Sequence, residues 1–151
     1  MFDSNRTTFP LAGEYKSMGS RTYKFIGPDD KMYNAYFTPT KGFIEVLFDC
    51  KESPGFDRLI ADGYMTEKVN TVADLMLQYE ANYGNQMKAF WYQATRQRFL
   101  FYKKYFEQNS DKLKTFKYYS DKWFEDQKYG YAVISKDPDF DFDEAIVRFL
   151  M

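Results

Sequence analysis

The sequence contains no histidine, and Cys50 is its single cysteine. The absence of histidine excludes Ser-His and Cys-His catalytic pairs and removes the side chain that most often transfers protons near neutral pH. It also excludes zinc sites with histidine ligands, and one thiol can form neither a thiolate zinc site nor an intramolecular disulfide. Any catalysis must therefore use carboxylates, lysine, tyrosine or a hard metal ion such as magnesium.

The chain also lacks a run of about 18 apolar residues, the length that a transmembrane helix requires. Its first residues, Met1–Arg6, lack the apolar stretch of a secretory signal peptide. We therefore expect no membrane partner and no secretion by a signal peptide. A single cysteine fits a reducing compartment, so the expected location is the cytoplasm of the cell or host cell, or a virion assembled there.

Aromatic side chains are abundant: 16 Phe, 14 Tyr and 2 Trp make up 21% of the 151 residues. A chain of this length can bury a substantial core, and most of the rings are expected there. Tyr and Trp also carry a polar group, which suits them to interfaces. Because one domain cannot hide so many large rings, the composition predicts aromatic side chains on the surface.

Turn residues and hydrophobic periodicity predict an α+β fold, with an N-terminal arm over residues 1–20 and a single domain over residues 21–151. The predicted strands cover 21–26, 32–37, 43–48, 87–92 and 131–134. The predicted helices cover 70–83, a region from 95 to 129 with a break at 109–111, and 144–150. Short turns make the first three strands an antiparallel meander. The predicted order is β-β-β-α-β-α-α-β-α around a sheet of about five strands.

This order resembles the C-terminal part of the acetyl-CoA-dependent N-acetyltransferase (GNAT-like) fold over residues 21–135. The stretches that carry the resemblance are Arg96–Tyr105 and Gly130–Ile134, which are similar to the final helix of that fold and to the Gly-aromatic pair entering its last strand. The spacing also resembles that of small bacteriophage proteins. The resemblance implies helices packed on an antiparallel sheet.

One motif of that family is missing. The family binds the cofactor pyrophosphate with a Gln/Arg-x-x-Gly-x-Gly/Ala loop, and the equivalent stretch here, Lys51–Asn70, has only Gly55 and Gly63. Without closely spaced backbone amides at a helix N-terminus, the phosphates have no binding site. We therefore expect a catalytically empty version of the fold, with no cofactor and no metal.

An alternative is a magnesium-dependent nuclease of the PD-(D/E)xK type. Pro28-Asp29 followed by Asp49-Cys50-Lys51 matches that pattern. Asp29 and Asp49 would hold the metal, and Lys51 would stabilise the attacking water or the phosphate. The pattern is short, and Pro-Asp is also typical of a hairpin turn.

A second alternative is a nucleic-acid-binding accessory protein. Residues 96–128 contain nine basic and five acidic side chains, a local net charge of +4, with aromatic rings between them. Cations neutralise phosphates and rings stack on bases, although a solvated helix face has the same composition. The predicted nucleic-acid contacts are Arg96, Arg98, Lys103, Lys104 and Lys117.

The C-terminal stretch Asp137–Glu144 contains five acidic residues and two phenylalanines. Such a tail could lie across the basic helices of its own chain or of a neighbour. It lacks the pattern of a calcium-binding EF-hand loop. An ordinary charged terminus is the other interpretation.

The preferred prediction is a non-enzymatic interaction or assembly protein, such as a bacteriophage virion component or a binder of a host protein. It would act through aromatic-rich surfaces on a protein partner or by self-association. The predicted interaction residues are Phe2, Phe9, Tyr118, Trp123, Phe140 and Phe142.

Overall fold

The computed structural model describes residues 8, 11–17, 20–27, 31–50, 65–109, 115–141 and 143. The described residues form a mixed α+β structure with seven strands and two helices. The strands are β1 (Leu11–Ser17), β2 (Ser20–Ile26), β3 (Met32–Thr40), β4 (Phe43–Cys50), β5 (Ala89–Ala94), β6 (Tyr118–Phe124) and β7 (Tyr129–Ser135). The helices are α1 (Met65–Tyr83) and α2 (Arg96–Asn109), and a 3-10 turn, Gly84–Gln86, follows α1.

The strands form one sheet in the order β1-β2-β3-β4-β5-β7-β6. The pairs β1–β2, β2–β3, β5–β7 and β6–β7 are antiparallel. Strands β4 and β5 are parallel, with Phe43–Glu45 opposite Ala89–Trp91. Parallel neighbours need a long crossover connection, and α1 lies in the connection between β4 and β5.

The turn between β3 and β4 has backbone φ angles that few residue types other than glycine adopt readily. Lys41 and Gly42 both have positive φ, at 53° and 88°. Two central residues of positive φ are typical of a type I′ hairpin turn, which matches the twist of the flanking strands. The turn predicted over residues 39–42 is therefore confirmed.

One compact unit comprises residues 1–38 and 46–82. Alternate side chains of β2 and β3 are fully buried in it, as expected for a sheet covered on one face. Phe37 lies edge-on to Tyr23 at 5.5 Å and stacks on Tyr79 of α1 at 5.0 Å. Apolar side chains of α1 at spacings of three and four residues are buried: Val72, Leu75 and Tyr79.

The second compact unit comprises residues 39–45 and 83–151. Helix α2 packs on one face of β5 and β7, where Phe99 contacts Ala94 and Ala132. On the other face, Phe43, Ala89 and Val133 form a second cluster, against which Trp91 and Phe140 pack.

The predicted fold class is confirmed and the prediction of about five strands is close to the seven observed, but the order β-β-β-α-β-α-α-β-α is wrong in detail. Residues 118–124 form a strand instead of a helix, and residues 11–17 of the supposed irregular arm form β1. Helix α1 begins at Met65 instead of Asn70, and α2 ends at Asn109 as predicted. The helix predicted at 144–150 lies outside the described residues, and the division into an arm and a single domain stays a prediction.

Candidate interaction surface

Strand β6 is the last strand of the sheet, and the described residues pair with only one of its edges. Its partner β7 runs antiparallel to it, from Tyr118 opposite Ser135 to Phe124 opposite Tyr129. A terminal strand presents backbone N–H and C=O groups that can pair with another strand. The outer edge of β6 is therefore a candidate site for contact with another chain.

The side of β6 that faces α2 is fixed by aromatic and polar contacts. The Tyr119 and Tyr92 hydroxyls share a hydrogen bond of 2.7 Å, and Phe106 of α2 stacks on Tyr119 at 5.0 Å. Lys103 of α2 forms an ion pair of 3.2 Å with Asp121. These contacts hold β6 in place, so that its outer edge has a defined position in the second unit.

The tyrosines beneath β6 keep their protons at neutral pH. Burial raises the pKa of Tyr92 well above its ordinary value, and the neighbouring Tyr119 raises it further. Burial also raises the pKa of Tyr119. For Tyr102, burial outweighs the opposite effect of Arg98 and raises the pKa to about 12. At neutral pH these hydroxyls are therefore neutral groups that can donate and accept hydrogen bonds, as Tyr92 and Tyr119 do with each other.

The other side of β6 presents rings and cations to solvent. Tyr118 is 43% exposed. The ammonium group of Lys122 lies 5.4 Å from the centre of the Phe124 ring, and Phe124 lies edge-on to Tyr131 at 5.4 Å. A cation within about 6 Å of a ring centre is attracted by the ring. This side of the strand thus carries two rings, Tyr118 and Phe124, and one cation, Lys122.

The end of β6 and the turn after it carry a second ring–cation group. The Arg96 guanidinium lies 5.4 Å from the centre of the Trp123 ring. The Trp123 indole N–H donates to Glu125 at 2.7 Å, and Lys128 pairs with Glu125 at 3.0 Å. These two hydrogen bonds lower the pKa of the Glu125 carboxyl, and the one from Trp123 has the larger effect. We call this region the β6 surface: strand β6 with Arg96, Glu125, Lys128 and Tyr129.

The predicted interaction residues lie in different settings. Tyr118 and Trp123 belong to the β6 surface, and Trp123 also packs on Phe99 with ring centres 5.7 Å apart. Phe140 packs on Phe43 at 5.9 Å, within the second apolar cluster of its unit. The remaining three lie outside the described residues: Phe2, Phe9 and Phe142.

The acidic tail contacts strands where it is described. Asp137 forms a turn in which its carboxylate accepts from the Asp139 N–H at 2.9 Å. Phe140 then packs on the Phe43 cluster, and Asp143 lies 3.5 Å from the Lys122 ammonium group. Phe140 thus contacts β4, whereas Asp143 pairs with Lys122, a basic residue of the stretch 96–128 that lies on a strand instead of a helix. That the rest of the tail lies across basic residues of its own chain or of a neighbour stays a prediction.

The predicted nucleic-acid contacts differ in exposure. Arg98 is only 2% exposed, and Lys103 forms an ion pair with Asp121. Arg96 lies against Trp123, while Lys104 and Lys117 are exposed. Four of the five lie on α2 and Lys117 directly precedes β6, and the nucleic-acid hypothesis stays a prediction.

The nuclease hypothesis remains without structural support. Asp29 and Lys51 lie outside the described residues, and the side chain of Asp49, at the end of β4, is not described. Among the described residues, no group of three or more possible ligand side chains could hold a metal ion.

No protein-family model matches the sequence, and comparisons with curated proteins and solved structures give no match. The acetyltransferase resemblance and the bacteriophage origin therefore stay predictions. Neither described helix is long and apolar enough to span a membrane.

Proposed function

We propose that this protein is a non-enzymatic interaction or assembly protein that associates through the β6 surface. The observation that carries the proposal is the position of β6: it ends the sheet, and it presents rings paired with cations beside an edge with which no described residue pairs. A virion component or a binder of a host protein would use such a surface.

The composition of the β6 surface supports this role. Tyr, Trp, Phe and Arg are enriched at the cores of protein interfaces. Here Trp123 and Arg96 form a ring–cation pair at one end of β6, and Tyr118 is an exposed ring at the other end. The contacts beneath them hold β6 in place before any partner arrives, which reduces the entropy lost on binding.

The proposed resemblance to the N-acetyltransferase fold agrees with a non-catalytic role. Its support is the element order: antiparallel strands β2 to β4, helix α1, strand β5, helix α2 and a final strand β7. The sequence between β4 and α1 has no Gly-x-Gly pattern, so it offers no phosphate loop. Without the phosphate-binding loop, we infer that this fold serves to bind other proteins.

Tyr118→Lys is expected to weaken association of the purified full-length chain. The substitution removes an exposed ring from β6 and introduces a charged side chain, which is costly to bury in an interface. We expect the association constant to fall at least about tenfold, which corresponds to about 1.4 kcal/mol. Light scattering over a range of protein concentrations, alone and with cell lysate, measures it.

Leu11→Lys is the matched control, since Leu11 is the exposed apolar residue of β1, at 52%. It should leave association unchanged. Equal weakening by both substitutions would indicate a general effect of charge. A wild-type chain that is strictly monomeric and retains no protein from lysate would contradict the proposal.

A further inference from the structure

The alternation of side chains along β6 restricts how this strand can pair with a copy of itself. In an antiparallel pair, residues directly opposite one another lie on the same face. A two-fold axis perpendicular to the sheet then places one residue opposite its own copy. Each possible pairing of β6 with itself is thus named by its central residue.

Repulsion between like charges disfavours the pairings that are centred on Asp121 and on Lys122. A pair centred on Asp121 places two carboxylates opposite each other, and a pair centred on Lys122 does the same with two ammonium groups. Like charges directly opposite are destabilising. Pairs centred on Tyr119 or Trp123 bring together only three residues of each strand.

A pair centred on Ser120 avoids these conflicts and joins five residues of each strand, 118–122. It places Tyr118 opposite Lys122 of the second copy on the solvent-facing side, where a cation can lie against a ring. On the side facing α2 it places Tyr119 opposite Asp121 of the second copy. The two Asp121 side chains are then diagonal neighbours, about 7–8 Å apart, and each has Lys103 as its counter-ion.

We propose that the partner of the β6 edge is β6 of a second copy of this chain, antiparallel and centred on Ser120. The proposal rests on the proposed function and names its partner. A two-fold contact of this kind is closed, because each chain uses the same strand. It produces a dimer with one sheet continuous through both copies.

The opposite end of the sheet is less suited to such pairing. Strand β1 pairs with β2 with an irregularity in register between Leu11 and Gly13. Bulges of this kind twist an edge strand away from a flat pairing geometry. Within the described part of the chain, β6 is the regular terminal strand.

Cysteine cross-linking tests the proposed register in the full chain. With Cys50 replaced by serine, single cysteines are introduced by Ser120→Cys, Tyr118→Cys and Lys122→Cys. Opposite Cα atoms in an antiparallel pair lie about 4.5–5.5 Å apart, which is within the range that a disulfide spans. Two copies of residue 118, or of residue 122, would lie about 13 Å or more apart.

We expect Ser120→Cys to form a reducible covalent dimer under mild oxidation, with several-fold higher yield than either of the other single variants. A mixture of the Tyr118→Cys and Lys122→Cys chains should cross-link as well, because these residues lie opposite each other. Thermal unfolding of each reduced variant checks that all three chains fold. Equal yields from the three variants would overturn the proposal.

The outcomes separate this inference from the proposed function. If the wild-type chain associates but Ser120→Cys does not cross-link preferentially, the register is wrong and the proposed function stands. If the chain is a monomer that binds another protein, the second copy is wrong as the partner. If it is a monomer that binds no protein, both proposals fail.

Discussion

Phe37→Ala is expected to lower the free energy of unfolding by about 3–5 kcal/mol, the cost typical of removing a buried ring. Phe37 has no exposed surface and lies between Tyr23 and Tyr79, with ring centres 5.5 and 5.0 Å away. Its neighbours are rigid rings, so the site cannot collapse fully around an alanine. Urea denaturation followed by circular dichroism measures the change.

Phe37→Leu is the matched control for that substitution. Leucine keeps most of the apolar volume but loses the ring–ring geometry, which is worth about 0.5–1.5 kcal/mol beyond burial. It should therefore destabilise the chain much less than alanine does. Large-to-small substitutions in a core usually lower the free energy of unfolding by more than about 1 kcal/mol. A smaller decrease for Phe37→Ala would contradict the packing of α1 on β3.

Gly130→Ala is expected to destabilise the chain by about 1–3 kcal/mol, the usual cost of overpacking a core. A β-carbon at Gly130 would lie 2.5 Å from Cε1 and 2.7 Å from Cγ of Phe99. Phe99 is buried between α2 and the sheet, and its ring cannot withdraw without moving the helix. The same urea experiment gives the value.

Two further variants isolate the cause. Gly13→Ala is the control in another strand, because a β-carbon there meets no atom within 4 Å. In a Phe99→Ala background, Gly130→Ala should cost much less, since the clashing ring is gone. A double-mutant cycle measures this coupling. Additive effects would show that the ring is not what excludes a side chain at Gly130.

Strands with regular alternation and clear turns were predictable from the sequence. Strand β2 alternates Tyr23 and Phe25 with polar residues, and Lys41-Gly42 marks the β3–β4 turn. Local patterns of this kind depend on neighbours in the chain, which the sequence shows directly. The parallel pairing of β4 with β5 depends on tertiary contacts, and the sequence alone did not predict it.

Strand β6 was mistaken for a helix for a specific reason. Tyr119 and Trp123 are four residues apart, and that spacing places two side chains on one face of either a helix or a strand. Asp121, between them on the same face of the strand, breaks the apolar alternation that would have indicated β structure. Its charge is accommodated by Lys103, an interaction that cannot be read from the local sequence.

Strand β1 was not predicted because a glycine can indicate either an irregular segment or a bulge within a strand. Gly13 was interpreted as part of an irregular arm, but it lies at a bulge within the strand. Glycine in a strand often marks such a bulge.

The sequence predicted two residues of the β6 surface, but it did not predict where in the sheet they lie. The aromatic surplus indicated Tyr118 and Trp123 as interaction residues. That they lie on a terminal strand follows from the strand order, which periodicity does not contain. The burial of Arg98 was unpredictable for the same reason.

Hydrogen exchange at low and high protein concentration tests most directly the central claim, that the chain associates through the β6 edge. In a single chain, amides on the outer edge of β6 should exchange rapidly, because backbone groups on an open edge are exposed to water. We predict that amides on the outer edge of β6 within residues 118–122 gain protection as the concentration rises, while β1 at the other end of the sheet does not. Exchange of β6 that is independent of concentration, or new protection confined to other elements, would contradict the account.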